Sequence, residues 1–229
     1  MKRIVYIIAA AACVLSGCSK AAFPDEAPKG EYTADAPSDE APASADDAES
    51  YTAIVTVKQD DGGHVCFQLD DAIRLYPVNY PEPFTRQCRI ICGLTVWEGN
   101  QCMVHWMDYL QEGAVQSGFS GNDDGVDVLE DWMTSVEDGY FTLHYQTLWG
   151  QDPQPHTLLL VPGEEDPFQL RLIHLRNGDE ALERADALIY FDLDTALPST
   201  GGVYQPLTLT WKNGAGETAT KTFSYRSRQ

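Results

Sequence analysis

Histidine and serine side chains are the groups in this chain that could carry out enzymatic chemistry, and their spacing limits what that chemistry could be. A zinc hydrolase of the common type needs two histidines one helical turn apart with a glutamate between them. A serine hydrolase commonly carries its nucleophile in a Gly-x-Ser-x-Gly turn. Neither pattern occurs, and no histidine lies within four residues of another; they are His64, His105, His144, His156 and His174. We therefore assign no catalytic residue and expect a protein that is not an enzyme, with an unrecognised hydrolase as the last alternative.

Two acidic clusters could bind a cation or act as paired carboxylates. Glu164, Glu165 and Asp166 are neighbours in the sequence, whereas glycoside hydrolysis needs two carboxylates held apart across a cleft. The stretch Asn122-Asp123-Asp124-Gly125 is similar to a calcium loop, but its twelfth position would be Asp131 in place of the usual bidentate glutamate. We interpret both clusters as solvated loops and expect no metal and no cofactor.

The N-terminus has the features of an export signal. Lys2 and Arg3 precede residues 4–15, which carry no charge and are mostly apolar. A helix that spans a bilayer needs about 20 apolar residues, so this run is too short to cross and has the length of a signal-peptide core. We expect residues 1–17 to be a signal peptide, cleaved between Gly17 and Cys18.

Cys18 stands where a specific covalent modification would take place. The sequence Leu15-Ser16-Gly17-Cys18 resembles a bacterial lipobox, in which the cysteine sulfur receives a lipid and palmitate is among the acyl chains. The resemblance implies a lipoprotein anchored in the cell envelope through lipid attached to Cys18. Ser19 stands where lipoproteins retained at the inner membrane carry aspartate, which favours the outer membrane; the periplasmic face and the cell surface both stay open.

Residues 18–50 form an acidic tether after the anchor. The stretch is rich in Ala, Pro and Ser, and its acids greatly outnumber Lys20 and Lys29. Low hydrophobicity combined with like charge predicts disorder. The whole chain has 35 acidic residues against 15 Lys and Arg, a formal charge of −20. Since nucleic-acid binding depends on neutralising phosphates with cations, we exclude that class of partner and expect a protein or glycan partner.

The remaining sequence is typical of an all-β protein with two halves. Turn signals punctuate short alternating runs, such as Val65/Phe67/Leu69 and Leu207/Leu209/Trp211. Residues 51–117 contain about five strands, enough for an OB-like barrel, and residues 101–110 read as a strand that is apolar on both faces. A loop then leads into residues 118–229, predicted to be a β-sandwich with Trp211 in its core. Short helices are possible near residues 128–136 and 180–187.

Two further expectations concern the cysteines and Trp97. An exported protein can oxidise cysteines, so Cys66, Cys88, Cys92 and Cys102 are either buried thiols or include one disulfide of unknown pairing. Trp97 lies beside a turn, and we expect it to be the exposed tryptophan and part of a binding surface on the barrel.

Several local motifs within this layout resemble the NigD-like lipoproteins. The family implies an OB-like domain, a C-terminal β-sandwich and a strand at residues 128–132 in place of a helix, and we adopt the strand. Its name comes from a bacteriocin operon, so immunity to a bacteriocin is the alternative to a non-enzymatic binding module. The motifs are Leu75-Tyr76-Pro77-Val78, Arg86-Gln87-Cys88-Arg89-Ile90-Ile91, Val128-Leu129-Glu130-Asp131-Trp132 and Tyr190-Phe191-Asp192-Leu193.

Overall fold

The computed structural model of the chain describes residues 49–80 and 83–228. Within them the chain forms two compact units, one ending at Leu110 and the other beginning at Gln111. The expected signal peptide, Cys18 and the acidic tether up to residue 48 lie outside the described residues. No α-helix occurs in the described part of the chain, which confirms the all-β prediction.

The first unit is a closed five-stranded barrel. Its strands are β1 (Glu49–Gln59), β2 (Val65–Gln68), β3 (Arg74–Pro77), β4 (Cys88–Trp97) and β5 (Gln101–Tyr109). They follow the order β1-β2-β3-β5-β4, and β4 pairs back onto β1. Only the β3–β5 pair is parallel within this barrel. Five strands closed in this way confirm the predicted OB-like barrel.

Alternation along β1 and β4 fills the barrel. Val55 and Val57 on β1 and Ile90 and Leu94 on β4 point inward, and each is at most 1% exposed. Burying an aliphatic side chain of this size stabilises the fold by roughly 1.5–3 kcal/mol. Because side chains two residues apart share a face of a strand, the residues between them point to the outer face of the barrel, where Thr56 is itself covered.

The second unit is a sandwich of two sheets. One sheet has the order β6-β13-β10-β8, with β9 also paired to β10, and the other has the order β15-β14-β12-β11-β7. This confirms the predicted β-sandwich. The strands are β6 (Gln111–Glu112), β7 (Ala114–Val115), β8 (Asp127–Val128), β9 (Ser135–Glu137), β10 (Tyr140–Trp149), β11 (Thr157–Pro162), β12 (Gln169–Leu175), β13 (Glu183–Asp192), β14 (Gln205–Lys212) and β15 (Thr218–Tyr225).

Large apolar side chains from both sheets meet between the layers. Phe141 and Phe191, from paired strands of one sheet, lie with ring centroids 6.4 Å apart and are fully buried. Leu172 and Leu209 enter the same core cluster from the opposite sheet. Trp211 joins them at 6% exposure, so the prediction that it belongs to the core is confirmed.

The helix considered at residues 180–187 and the strand adopted at residues 128–132 are both wrong. Residues 183–187 belong to β13, which pairs with β10 along its whole length from Glu183 to Asp192. This continuous antiparallel ladder to β10 fixes the backbone in an extended conformation and overrides a local helical preference. Between residues 128 and 136 the chain forms neither a helix nor one strand: β8 ends at Val128, a turn follows, and β9 starts at Ser135.

The second unit begins earlier in the chain than the sequence suggests. We predicted residue 118, inside a glycine-rich loop, whereas the compact unit starts at Gln111. Two short strands account for the difference, because β6 pairs in parallel with β13 and β7 in parallel with β11. Strands of two residues carry too little hydrophobic pattern to be recognised from sequence.

Candidate functional site

The outer surface of β1, β4 and β5 brings together a set of aromatic and neutral polar side chains. The strand register aligns these residues in three rows across the sheet. One row holds Trp97 and Gln101, the next Ser50, Thr95 and Met103, and the third Thr52, Gly93 and Trp106. We call these eight residues, together with His105, the barrel face. His105 joins them because a β-bulge between Gly93 and Leu94 leaves it opposite no single partner residue.

Trp106 lies directly on a glycine of the neighbouring strand. A Cβ atom built on Gly93 would come within 2.2 Å of the indole Nε1 and 2.8 Å of both Cδ1 and Cε2. The two flanking ring atoms are only slightly farther away than the nitrogen, which places the Cβ position above the nitrogen end of the ring and not in the ring plane. Trp106 is nevertheless 42% exposed. Only glycine leaves room for this packing, and the indole therefore presents its other face to solvent.

A chain of neutral hydrogen-bonding groups lies beside this ring. The Oγ of Ser50 is 2.7 Å from the Oγ1 of Thr95, and that hydroxyl is 2.7 Å from the Nε2 of His105. In the first row, the indole Nε1 of Trp97 donates to the Oε1 of Gln101 at 3.0 Å. Hydroxyl, imidazole and amide groups can each donate and accept hydrogen bonds. The barrel face can therefore pair with both the donors and the acceptors of a ligand.

The barrel face carries no ionic side chain. None of its positions is Asp, Glu, Lys or Arg, although the chain as a whole has a formal charge of −20. Beyond the third row on the same face, Asp108 pairs with Ile91. A neutral area on so acidic a protein favours a ligand that is itself uncharged.

The sequence indicated this region through Trp97 but did not single out the other residues of the barrel face. Trp97 is only partly exposed, while the most exposed tryptophans among the described residues are Trp106 at 42% and Trp132 at 58%. The strand predicted at residues 101–110 is present as β5 (Gln101–Tyr109). Because apolar residues occur on both of its faces, the sequence did not indicate on which face Trp106 lies. The isolated Gly93 within a strand was the available signal, since such a glycine often marks close approach of another group.

The four cysteines of the barrel are buried thiols. Burial raises the pKa of the Cys102 thiol to about 12, and burial also raises the pKa of Cys92. Nucleophilic and metal-binding cysteine is the thiolate, so these two groups are chemically inert at neutral pH. Of the two interpretations left open, the structure shows the buried thiols.

Two histidines form a buried chain of contacts in the sandwich. The Nε2 of His156 lies 3.0 Å from the Oδ2 of Asp179, and its Nδ1 lies 2.9 Å from the Nε2 of His174. The indole of Trp149 stacks on His156 with centroids 3.9 Å apart. Burial lowers the pKa of both imidazoles. Because these rings are enclosed and Asp179 also accepts the backbone N–H groups of Gly150 and Gln154, the cluster is a structural connection.

The acidic loop is occupied by contacts within the chain. Asp123 accepts hydrogen bonds from the backbone N–H groups of Gly125 and His174, and Asp124 accepts one from Arg176. Asp127 accepts from Gly214 and Arg184. Within residues 49–80 and 83–228, no group of three or more His, Cys, Asp or Glu side chains could hold a metal ion.

Together these features describe a β protein of two compact units, a closed five-stranded barrel and a sandwich of two sheets. Residues 109–225, more than half of the chain, match the NigD-like C-terminal beta sandwich domain. The chain therefore belongs to the NigD-like family, as its motifs predicted.

Solved structures with the same fold come from species of Parabacteroides and Bacteroides. The chain is similar to a protein described as toxin-related from Parabacteroides distasonis, with a TM-score of 0.67, 20% identity, and coverage of 78% of this chain and 94% of that one. It is also similar to a NigD-like immunity protein from Bacteroides caccae, with a TM-score of 0.53, 18% identity, and coverage of 75% and 91%. It is similar as well to a protein described as a lipoprotein from Bacteroides fragilis, with a TM-score of 0.52, 15% identity, and coverage of 78% of this chain and 98% of that one. At these identities the likeness establishes the fold.

No curated protein matches the chain significantly. Across the described residues, no helix is long and apolar enough to cross a membrane.

Proposed function

We propose that the protein is a non-enzymatic binding module that is anchored to the bacterial cell envelope by lipid on Cys18 and recognises its partner through the barrel face. Membership of the NigD-like family and the similar fold of a protein described as a lipoprotein support this proposal. The observation that carries it is Trp106, an indole packed on Gly93 with its second face open to solvent. Aromatic residues held in this way are the usual anchors of binding surfaces.

The lipid anchor has a direct test. Cells that express the full-length protein are grown with labelled palmitate, and the label on the protein is measured. We expect Cys18→Ala to abolish labelling, because this thiol is the only acceptor that the lipobox positions. The matched control is Cys13→Ala, which lies inside the expected signal peptide and should leave the label unchanged. Undiminished labelling of Cys18→Ala would contradict the anchor.

The barrel face can be tested as a binding surface in the same cells. A photo-crosslinking amino acid at Thr52, which is exposed and pairs with Gly93, should capture the partner on illumination. The control position is Thr222, which is exposed on the edge strand β15 of the sandwich. Adducts from Thr52 that are absent from Thr222 support the proposal. Adducts from Thr222 and none from Thr52 would place the partner elsewhere and overturn it.

Immunity to a bacteriocin is the second candidate, favoured by the name of the similar Bacteroides caccae protein. It predicts that deleting the gene sensitises cells to a toxin made by a neighbouring gene. Genes for glycan uptake beside this one would instead favour the binding role. We place the protein at the outer membrane, and protease treatment of intact cells distinguishes its two faces, since only a surface protein is cut.

A further inference from the structure

The barrel face has the chemistry of a saccharide site, and this inference rests on the proposed binding role of that face. We infer that its ligand is an uncharged saccharide that stacks one sugar ring on Trp106 and hydrogen-bonds to the neighbouring row of hydroxyl and imidazole groups. Three properties of the barrel face support a saccharide ligand: the orientation of the Trp106 indole, the kind of polar groups beside it, and the absence of ionic side chains.

The orientation of Trp106 makes it a platform. The ring is fixed from below by contact with Gly93 and lies flat on the sheet, so its exposed side is a face rather than an edge. An aromatic face carries partial negative charge, and one side of a sugar ring presents a row of weakly positive C–H groups. A flat, rigid indole on a strand therefore fits the apolar side of a pyranose and loses little conformational entropy on binding.

The polar groups beside the ring match sugar hydroxyls. Ser50, Thr95 and His105 form a chain in which consecutive polar atoms are 2.7 Å apart. Each of these groups can exchange donor and acceptor roles, and a sugar hydroxyl has the same ability. Ligand hydroxyls added to such a chain extend it, and hydrogen bonds in chains strengthen one another.

The charge distribution selects against ionic ligands. Uronic acids and phosphorylated glycans would approach a chain of formal charge −20 and find no Lys or Arg on the barrel face. A cationic peptide would find no carboxylate there to pair with. A neutral saccharide has no charge that needs an oppositely charged partner on the barrel face. Its hydroxyls replace water molecules with groups that form the same kinds of hydrogen bond.

Affinity electrophoresis of the full-length protein in mild detergent tests the inference. The gels contain a neutral polysaccharide (glucan, mannan or galactan) or the anionic polymer polygalacturonate. We expect at least one neutral polymer to retard the protein, and Trp106→Ala to raise the dissociation constant by about tenfold or more, as for loss of a stacked ring. Trp106→Phe should recover part of the affinity. Trp132→Ala is the matched control, because it removes an exposed indole from the other unit and should change nothing.

Three outcomes would overturn the saccharide: no retardation by any neutral polymer, retardation by polygalacturonate alone, or full retention of binding by Trp106→Ala. Circular dichroism of each variant verifies that it is folded. The crosslinking from Thr52 separates this failure from failure of the proposed function. Protein adducts at Thr52 without saccharide binding would keep the binding role and reject the saccharide. The absence of both adducts and saccharide binding would reject both proposals.

Discussion

Gly93 and Trp106 form a matched pair, because the glycine has no side chain and the indole occupies the vacant space. A methyl group at Gly93 would collide with the ring, so we predict that Gly93→Ala displaces Trp106 and lowers the free energy of unfolding by about 1 kcal/mol or more. Denaturant unfolding measures the loss, and stronger fluorescence quenching by acrylamide reports the released indole.

A double-mutant cycle isolates the contact. In a Trp106→Ala background the same Gly93→Ala change meets no ring, and alanine has more strand preference than glycine. We therefore expect it to be neutral or slightly stabilising there. Equal destabilisation in both backgrounds would show that Gly93 is constrained by something other than Trp106.

Residue-level expectations succeeded where one pattern determined the outcome and failed where two faces competed. Trp211 alternates with Leu207 and Leu209, and this register alone predicts its burial. Trp106 lies in a strand with apolar residues on both sides, and a bulge next to Gly93 shifts the alternation. Side-chain direction past a bulge depends on pairing with a second strand, which is not encoded locally.

At the scale of elements, the histidine pair joins β11 and β12 to the loops around them and should make the sandwich sensitive to acid. His174 contacts the carbonyl oxygen of Gly125 and the ring of His156, and Asp179 holds the other end. The nearby charges are Asp123, Asp124 and Arg176. The contact between the two rings needs one nitrogen without a proton, so both rings cannot be charged together in the folded state.

Acid should therefore destabilise the protein before its carboxylates titrate. Burial lowers the pKa of both rings, while in the unfolded chain each takes up a proton near pH 6.5. Below that pH the unfolded state binds more protons, so the free energy of unfolding falls as the pH drops from 7 to 5, by about 1.4 kcal/mol per pH unit for each proton of difference. Urea unfolding across this range measures the slope.

One substitution assigns the slope to this pair. His156→Gln removes one of the two rings and should flatten the dependence on pH. Thr157→Val, at the first residue of β11 and next to His156 in the chain, adds or removes no titrating group and should leave the dependence unchanged. A slope that stays the same in His156→Gln would assign the acid sensitivity to other groups.

The C-terminal segment is held to the sandwich by Arg228. Its Nε donates to Asp194 at 2.8 Å, its Nη2 to Asp192 at 2.5 Å, and its guanidinium lies 4.3 Å from the ring centroid of Tyr140. We predict that Arg228→Ala lowers the free energy of unfolding by about 2 kcal/mol and that Arg228→Lys restores little, because lysine lacks the planar fork. Thermal denaturation tests this, with Arg226→Ala as the control at a surface contact with Tyr204. Full rescue by lysine would show that charge alone suffices.

Element-level expectations followed the strength of the hydrophobic pattern. The alternating runs of β1, β4 and β14 are long enough to be recognised, and both sheet architectures follow from them. Residues 180–187 were misassigned because their helical preference is local, whereas β13 is determined by its ladder to β10. The two-residue strands β6 and β7 exist only through their partners, so the start of the second unit could not be found from sequence.

At the scale of the whole molecule, the formal charge of −20 contrasts with the neutral barrel face. Neutral ligands would approach such a chain without electrostatic attraction, so binding should depend little on salt. A fall in affinity of less than about twofold between low and physiological salt is expected, since Coulombic steering is absent. A steep salt dependence would indicate ionic contacts.

Footprinting on living cells tests the central claim, that the barrel face is the surface occupied in the envelope. Hydroxyl radicals oxidise exposed indoles, and Trp106 and Trp132 are 42% and 58% exposed in the protein alone. Both should be oxidised in the purified full-length protein. On intact cells supplied with the bound partner, we predict that Trp106 is protected while Trp132 stays reactive. Equal oxidation of the two indoles in both settings would contradict this claim.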